Sequence, residues 1–302
     1  MLWHATVRAL CAGCKTVTMT ERRASRTAVT VCQARAVAHG RLAPGRFADP
    51  TAMPLLRPAE QAEVQRVRAG TPPKGMAERF PYEMVRGAAE IIVPRTVAID
   101  DAARAGAATQ VVILGAGLDG RAWRLDLPGA TFFEVDHPAS QQEKRDRATD
   151  LTGTPPTYVP VDFARDVLTD ALAAAGHHAD RPTTWIWEGV VPYLTREEVA
   201  ATVAAVAARS ASGSRLIVNY QLPSWIGEVV RKIIGRVAGR QNPWAAEPWL
   251  STWSVAAMSR LLALHGFAVR SDQDLLEIAD DLGVRLGQRG SMRSGRVAVA
   301  ER

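Results

Sequence analysis

QVVILGAGLDGRAWRL, residues 110–125, decides the fold. Val111, Val112, Ile113 and Leu114 form an unbroken apolar run of the length a buried parallel strand takes. Gly115, Ala116, Gly117, Leu118, Asp119 and Gly120 then turn the chain into a helix. Glycines at 115 and 117 open backbone conformations closed to other residues and remove Cβ atoms that would hold a ligand away. The helix start adds unpaired N–H groups, so the turn is suited to a polar ligand. The GxGxxG pattern fits a dinucleotide fold and a methyl-donor fold equally.

The next strand narrows the ligand. TFFEVD, residues 131–136, is rich in β-branched and aromatic residues and carries two acids, Glu134 and Asp136, on one face about 20 residues beyond the glycines. An acid at this strand end accepts hydrogen bonds from ribose hydroxyls, which any adenosine-containing cofactor offers. Downstream, strands and helices alternate: a helix over 138–151, a strand over 157–161 ending at Asp162, a helix over 165–175, the strand TTWIWE over 183–188, a helix over 196–210 and a strand over 214–220. That rhythm means a parallel sheet with ligands outside the carboxyl ends of its strands, where Asp136, Asp162 and Glu188 all fall.

Upstream, small and apolar residues at helical spacing predict a helix over 25–39, followed by a segment punctuated by proline and glycine. A long amphipathic stretch over 76–105 has an expected break or kink at Pro94. Residues 222–250 interrupt the α/β rhythm with Pro223, Pro243, Pro248, Trp225, Trp244 and Trp249, and read as a lid over the binding site. A helix over 251–265, a short strand over 267–270 and a last strand over 295–300 complete the chain.

The formal charge of +6 is local. Residues 1–46 carry eight Lys/Arg against one Glu, which leaves the rest with 29 basic and 30 acidic residues. A near-neutral body lacks the broad basic footprint of a nucleic-acid-binding protein. No apolar run reaches the length of a membrane span, and three cysteines in 302 residues fit a reducing cytoplasm. Cys11 and Cys14 form a C-x-x-C pair, but no second ligand pair accompanies it, so no metal site is expected. Met19 offers an alternative start, and the first 18 residues read as an extension or tail.

The runs VVILGAGLDGRAWRL, FFEVDHPASQQEKR, VPVDF and TTWIWEGVVPYLTREEV, in that order and spacing, resemble the leucine carboxyl methyltransferase family. The similarity is greatest to its bacterial branch of S-adenosylmethionine-dependent methyltransferases, abundant in actinobacteria, and extends from about residue 25 to the C-terminus. The resemblance implies an α/β class I methyltransferase fold, a Rossmann-like seven-stranded sheet with its last strand antiparallel. The implied layout is a tail over 1–24 and one catalytic domain over 25–302, with a helical cap over 25–106 and the lid over 222–250. The implied cofactor is S-adenosyl-L-methionine. Gly115 and Gly117 would line its methionine part, Asp136 would accept from the ribose, and Asp162 with Phe163 would hold the adenine. Glu188 matches an acid near the methionine amino group, Arg95 an arginine that pairs with the methionine carboxylate, and Arg35 a variable basic position. These roles suit the chemistry of guanidinium with carboxylate and acid with ammonium. Gly120 stands where the family often has a small hydroxyl residue or alanine, a minor change in the same turn.

The implied reaction is O-methylation of an unidentified, small-molecule acceptor. A carboxylate acceptor needs no base, whereas a hydroxyl would draw on His137, His265 or Glu188, and Tyr193 and Tyr220 follow strand ends. No catalytic residue is assigned and the oligomeric state is open. Two other readings use the same turn: an NAD(P)-dependent oxidoreductase and a non-catalytic cofactor-binding protein.

Overall fold

The computed structural model describes residues 26–106, 108–162, 165–223, 249–284 and 292–302. The organising run is strand β1 (Gln110–Leu114), buried at every position. β2 (Thr131–Asp136), β3 (Thr157–Pro160), β4 (Thr183–Trp187), β5 (Arg215–Gln221), β6 (Ala268–Asp274) and β7 (Gly295–Glu301) join it in one sheet of order β3-β2-β1-β4-β5-β7-β6. β1 to β5 run parallel, and β7 is antiparallel to both β5 and β6. This is the seven-stranded class I methyltransferase sheet that the resemblance implies.

Strand side chains alternate between two cores. Val111, Ile113, Ile186 and Ile217 face one core, built with α1 (Arg26–Ala38), α2 (Pro58–Ala69) and α3 (Met76–Arg104). Val112, Leu114, Trp185, Trp187, Leu216 and Val218 face the other, against helices on the opposite side of the sheet. The unbroken apolar run that made β1 look buried from sequence is thus divided between both faces, each of which needs apolar side chains.

α3 runs uninterrupted through Pro81 and Pro94, so of the break or kink expected at Pro94 the break is absent. Val93, Pro94 and Val97 are buried, and packing on the sheet outweighs the lost backbone hydrogen bond. α2 has no counterpart in the sequence reading, because its polar composition gives a weak apolar stripe. Pro58 opens it, Glu60 returns its carboxylate to the Arg57 N–H at 2.8 Å, and left-handed Gly70 ends it.

After the glycine turn the expected helix is a single turn, α4 (Arg121–Arg124). α5 (Pro138–Arg147) follows β2, α6 (Leu168–Ala174) follows β3, and a 3-10 turn (Val191–Tyr193) with α7 (Arg196–Ala208) follows β4. α8 (Val255–Leu264) and α9 (Leu275–Asp281) flank β6, which extends further than the short strand expected. Asp274 caps α9 through the Leu276 and Glu277 N–H groups.

Of the expected lid, residues 224–248 lie outside the described residues, as do the expected tail over 1–24 with Cys11 and Cys14, and Phe163. The described residues on either side of that segment are tied down at the carboxyl edge of the sheet. Leu222 N–H donates to the Ser294 carbonyl at 2.7 Å, and Leu250 N–H to the Pro192 carbonyl at 2.7 Å. Among the described residues no helix is long and apolar enough to cross a membrane.

Candidate functional site

Strand order arranges the candidate residues. β3, β2, β1 and β4 are neighbours, so Asp162, Asp136, the Gly115–Gly117 turn and Glu188 succeed one another along one carboxyl edge. Gly115 and Gly117 have φ of 67° and 49°, a left-handed backbone that favours glycine. A Cβ at Gly115 would stand 2.4 Å from Val190 Cγ2, and one at Gly117 would stand 3.2 Å from Ala28 Cβ on α1. The turn is therefore wedged between the loop after β4 and the first helix.

Asp136 closes β2 at the mouth of this turn. Gly117 N–H donates to its Oδ2 at 2.6 Å and His137 N–H to its Oδ1 at 2.7 Å, so the backbone orients the carboxylate. Burial pushes its pKa above the ordinary value, against the pull of those two amides. Glu134 shares the strand face but lies deeper. Lys144 Nζ meets its Oε2 at 2.5 Å with both side chains buried, and burial still raises Glu134 to about 7. Of the two acids read from TFFEVD, only Asp136 sits at the edge where a ligand can reach it.

Asp162 follows β3, partly buried. Its N–H donates to Asp166 Oδ2 at 2.8 Å, and its carboxylate has Arg165 Nε at 3.7 Å. Arg35, on α1, is buried and turned toward the protein. Its Nη2 donates to the Leu118 carbonyl at 2.5 Å and its Nε lies 3.2 Å from Asp49 Oδ2.

Glu188 and Arg95 pair at 2.7 Å through Oε1 and Nε, and Glu188 Oε2 takes Arg121 Nη1 at 2.7 Å. Arg121 also binds Asp100 and Asp119, while Arg124 bridges Asp100 to Asp49. Sequence reasoning named Glu188 and Arg95 but missed Asp49, Asp100, Asp119, Arg121 and Arg124. Asp119, Arg121 and Arg124 lie inside the opening stretch, but only its glycines carried a pattern. Asp49 and Asp100 are distant in sequence and mark no motif.

The network sets pKa values. Burial alone would raise Glu188, yet Arg121 and then Arg95 outweigh it and hold the acid at about 2. Asp119, opposed by burial in the same way, is held well below the carboxylate range by Arg121 and Arg35. A depressed folded pKa contributes stability that is complete above the unfolded value and lost as pH falls through the folded value. Folding stability is therefore expected to drop between pH 4.5 and 2. In Glu188→Gln that drop is shallower, which urea-unfolding midpoints across the acid range measure; an unchanged slope would contradict the pairing.

The proton-transfer candidates are mostly occupied. His137 Nδ1 accepts from Ala139 N–H at 3.2 Å and caps α5, His265 ends α8, and Tyr220 on β5 donates to Asp272 on β6 at 2.5 Å. Glu188, held at about 2, is a weak base. Tyr193 lies partly buried on the 3-10 turn.

The helix start after the turn also differs from the sequence expectation. Asp119 Oδ1 takes the Arg121 N–H at 2.7 Å, and α4 has one turn, so this helix start already has an acceptor and offers little to a dinucleotide pyrophosphate.

Sheet order and glycine turn define a class I methyltransferase fold. A family model described as "Leucine carboxyl methyltransferase" matches residues 28–207, and the chain belongs to that family. A Streptomyces coelicolor protein described as a "Putative S-adenosyl-L-methionine-dependent methyltransferase" is 41% identical over 169 residues, 53% of this chain and 56% of that protein. The chain thus matches about half the length of that curated relative. Two crystal structures share the fold. One is a "duf574 family protein" from Streptomyces avermitilis (TM-score 0.52, 16% identity, 90% of this chain and 96% of that one). The other is a "putative methyltransferase" from Thermobifida fusca (TM-score 0.51, 15% identity, 91% and 94%).

Proposed function

We propose that the chain is an S-adenosyl-L-methionine-dependent O-methyltransferase that delivers the methyl group to a carboxylate or hydroxyl of a small-molecule acceptor in the cytoplasm. The observation that carries this reading is the Asp136 carboxylate, held by the Gly117 and His137 amides beside a glycine turn, in a chain of the leucine carboxyl methyltransferase family. The residues fit the cofactor. Each Asp136 oxygen uses one lone pair on the backbone and keeps another for a ribose hydroxyl. Gly115 and Gly117 keep the turn bare of side chains, and buried Arg121 Nη2 has no hydrogen-bond partner among the described residues.

When bound, the cofactor supplies an electrophilic methyl group on a sulfonium, the C–S bond breaking as the new C–O bond forms. The protein's part is to orient the two reactants and exclude water. Asp136 fixes the ribose, Asp162 with Phe163 takes the adenine, and Glu188 and Arg95 receive the amino-acid group. Arg35 acts indirectly, by holding the Leu118 carbonyl of the turn. The domain layout follows the same reading: a helical cap over 25–106 and a lid over 222–250 that selects the acceptor. An ionised carboxylate acceptor suits the site best, since the acid nearest the methionine end is a poor base.

Calorimetry tests the reading directly. S-adenosylhomocysteine is expected to bind at about micromolar Kd, and oxidised nicotinamide cofactor to give no heat. The reverse result would favour the oxidoreductase, which the family match leaves unsupported. Binding without methyl transfer to any carboxylate or hydroxyl acceptor would favour a non-catalytic cofactor-binding protein.

A further inference from the structure

Four guanidiniums, of Arg35, Arg95, Arg121 and Arg124, meet four carboxylates, of Asp49, Asp100, Asp119 and Glu188, in one continuous chain that is buried except at its partly exposed Arg95–Glu188 end. Arg121 is its hub and is wholly inaccessible to solvent. Its Nε donates to Asp100 Oδ1 at 2.6 Å, and its Nη1 reaches Asp119 Oδ2 at 2.5 Å and Glu188 Oε2 at 2.7 Å. Asp119 in turn belongs to the glycine turn, where its N–H donates to the Ala116 carbonyl at 2.8 Å. One side chain therefore joins α3, the glycine turn and the loop after β4.

We infer that Arg121 is the positioning residue for the amino-acid end of the cofactor site, acting through Glu188. This rests on the proposed reading of the site as a receptor for S-adenosylmethionine. The cluster is charge-balanced, so it admits a zwitterionic group without a net buried charge. Nη2 of Arg121 makes no hydrogen bond among the described residues, and Nε of Arg35 and of Arg124 meet Asp49 Oδ2 only as ion pairs at 3.2 and 3.4 Å, so the guanidiniums have donors to spare. A group bringing an ammonium for Glu188 and a carboxylate for Arg95 meets the cluster at its partly exposed end, while Arg121, out of reach behind it, fixes the Glu188 carboxylate. Lysine cannot replace the hub, because a single Nζ does not span three carboxylates held by a planar fork.

The test compares two ligands on the full chain: S-adenosylhomocysteine and 5′-methylthioadenosine, which keeps the adenosine and sulfur but lacks the amino-acid group. Arg121→Lys is expected to weaken S-adenosylhomocysteine about 30-fold and 5′-methylthioadenosine by about threefold or less. In a Glu188→Gln background the same change is expected to cost less than about threefold for S-adenosylhomocysteine, since the residue it acts through is already altered. Equal losses for the two ligands, or unchanged S-adenosylhomocysteine affinity, would overturn the inference. If Arg121→Lys does not fold by circular dichroism, Asp100→Asn decides: a selective loss of about tenfold is expected, and an equal loss for both ligands overturns it. Wild-type protein that binds neither ligand would remove the cofactor reading as well. Wild-type binding with non-selective variants would remove only the role of Arg121.

Discussion

Asp136→Ala is expected to weaken S-adenosylhomocysteine binding by about a hundredfold or more while the protein stays folded. The side chain offers two charge-assisted hydrogen bonds to a ribose diol, each of about 1.5–3 kcal/mol, and their loss together gives a factor of that size. The structural cost is smaller. Gly117 and His137 lose their side-chain acceptor, but Asp136 lies at the open end of β2, where water can take its place. Calorimetry gives the affinity and thermal unfolding the fold. Affinity within about threefold of wild type would remove the ribose assignment. Asp136→Asn serves as the intermediate, keeping the shape and one acceptor oxygen while losing the charge.

The second large effect is on stability and involves Gly120, which by family resemblance occupies a position tolerant of a small side chain. A Cβ there would stand 1.8 Å from Thr51 Oγ1 and 2.9 Å from Thr51 Cβ. The backbone is not the obstacle, since φ is −107°. Thr51 fills the space itself, with its hydroxyl donating to Asp49 Oδ1 at 2.6 Å while Asp49 Oδ2 faces Arg35 and Arg124. The structure thus corrects the reading of Gly120 as a minor change. Gly120→Ser should destabilise by about 3 kcal/mol, a fall of roughly 5 °C in Tm for a chain of this size. Adding Thr51→Gly should restore more than half of it, a coupling that calorimetric scanning of the four proteins resolves. Independent, additive losses would contradict a steric origin.

How much of this was visible in sequence depends on the range of the interaction. β1, its turn and β2 were legible because burial on both faces produces an apolar run, and glycine marks a backbone no other residue tolerates. The antiparallel β7 followed from family resemblance, not from any property of GRVAVA. α2 was missed because a helix covering part of a core from outside needs few apolar residues, and buries only Val64 and Val67. Glu134 and Asp136 looked equivalent by alternation, yet two residues along a strand move a side chain about 7 Å, from the reach of a ligand to that of Lys144. The charge network was invisible for a different reason. Ion pairs such as Arg124 with Asp49 and Asp100 link positions with no fixed spacing, and a buried arginine looks like any other until its partners are located.

α1 reaches the glycine turn from far away in the chain. Arg35 holds the Leu118 carbonyl across 83 residues, and Ala28 forms the wall against Gly117. The nucleotide-type half, β1 through β2, is therefore not a portable module. Cut out or grafted onto another sheet, it would keep its glycines and Asp136 but lose one wall of the turn and the guanidinium that shapes it. Engineering that recombines this protein with its relatives should keep residues 26–52 with 110–136 as one inheritance unit and place its crossovers elsewhere.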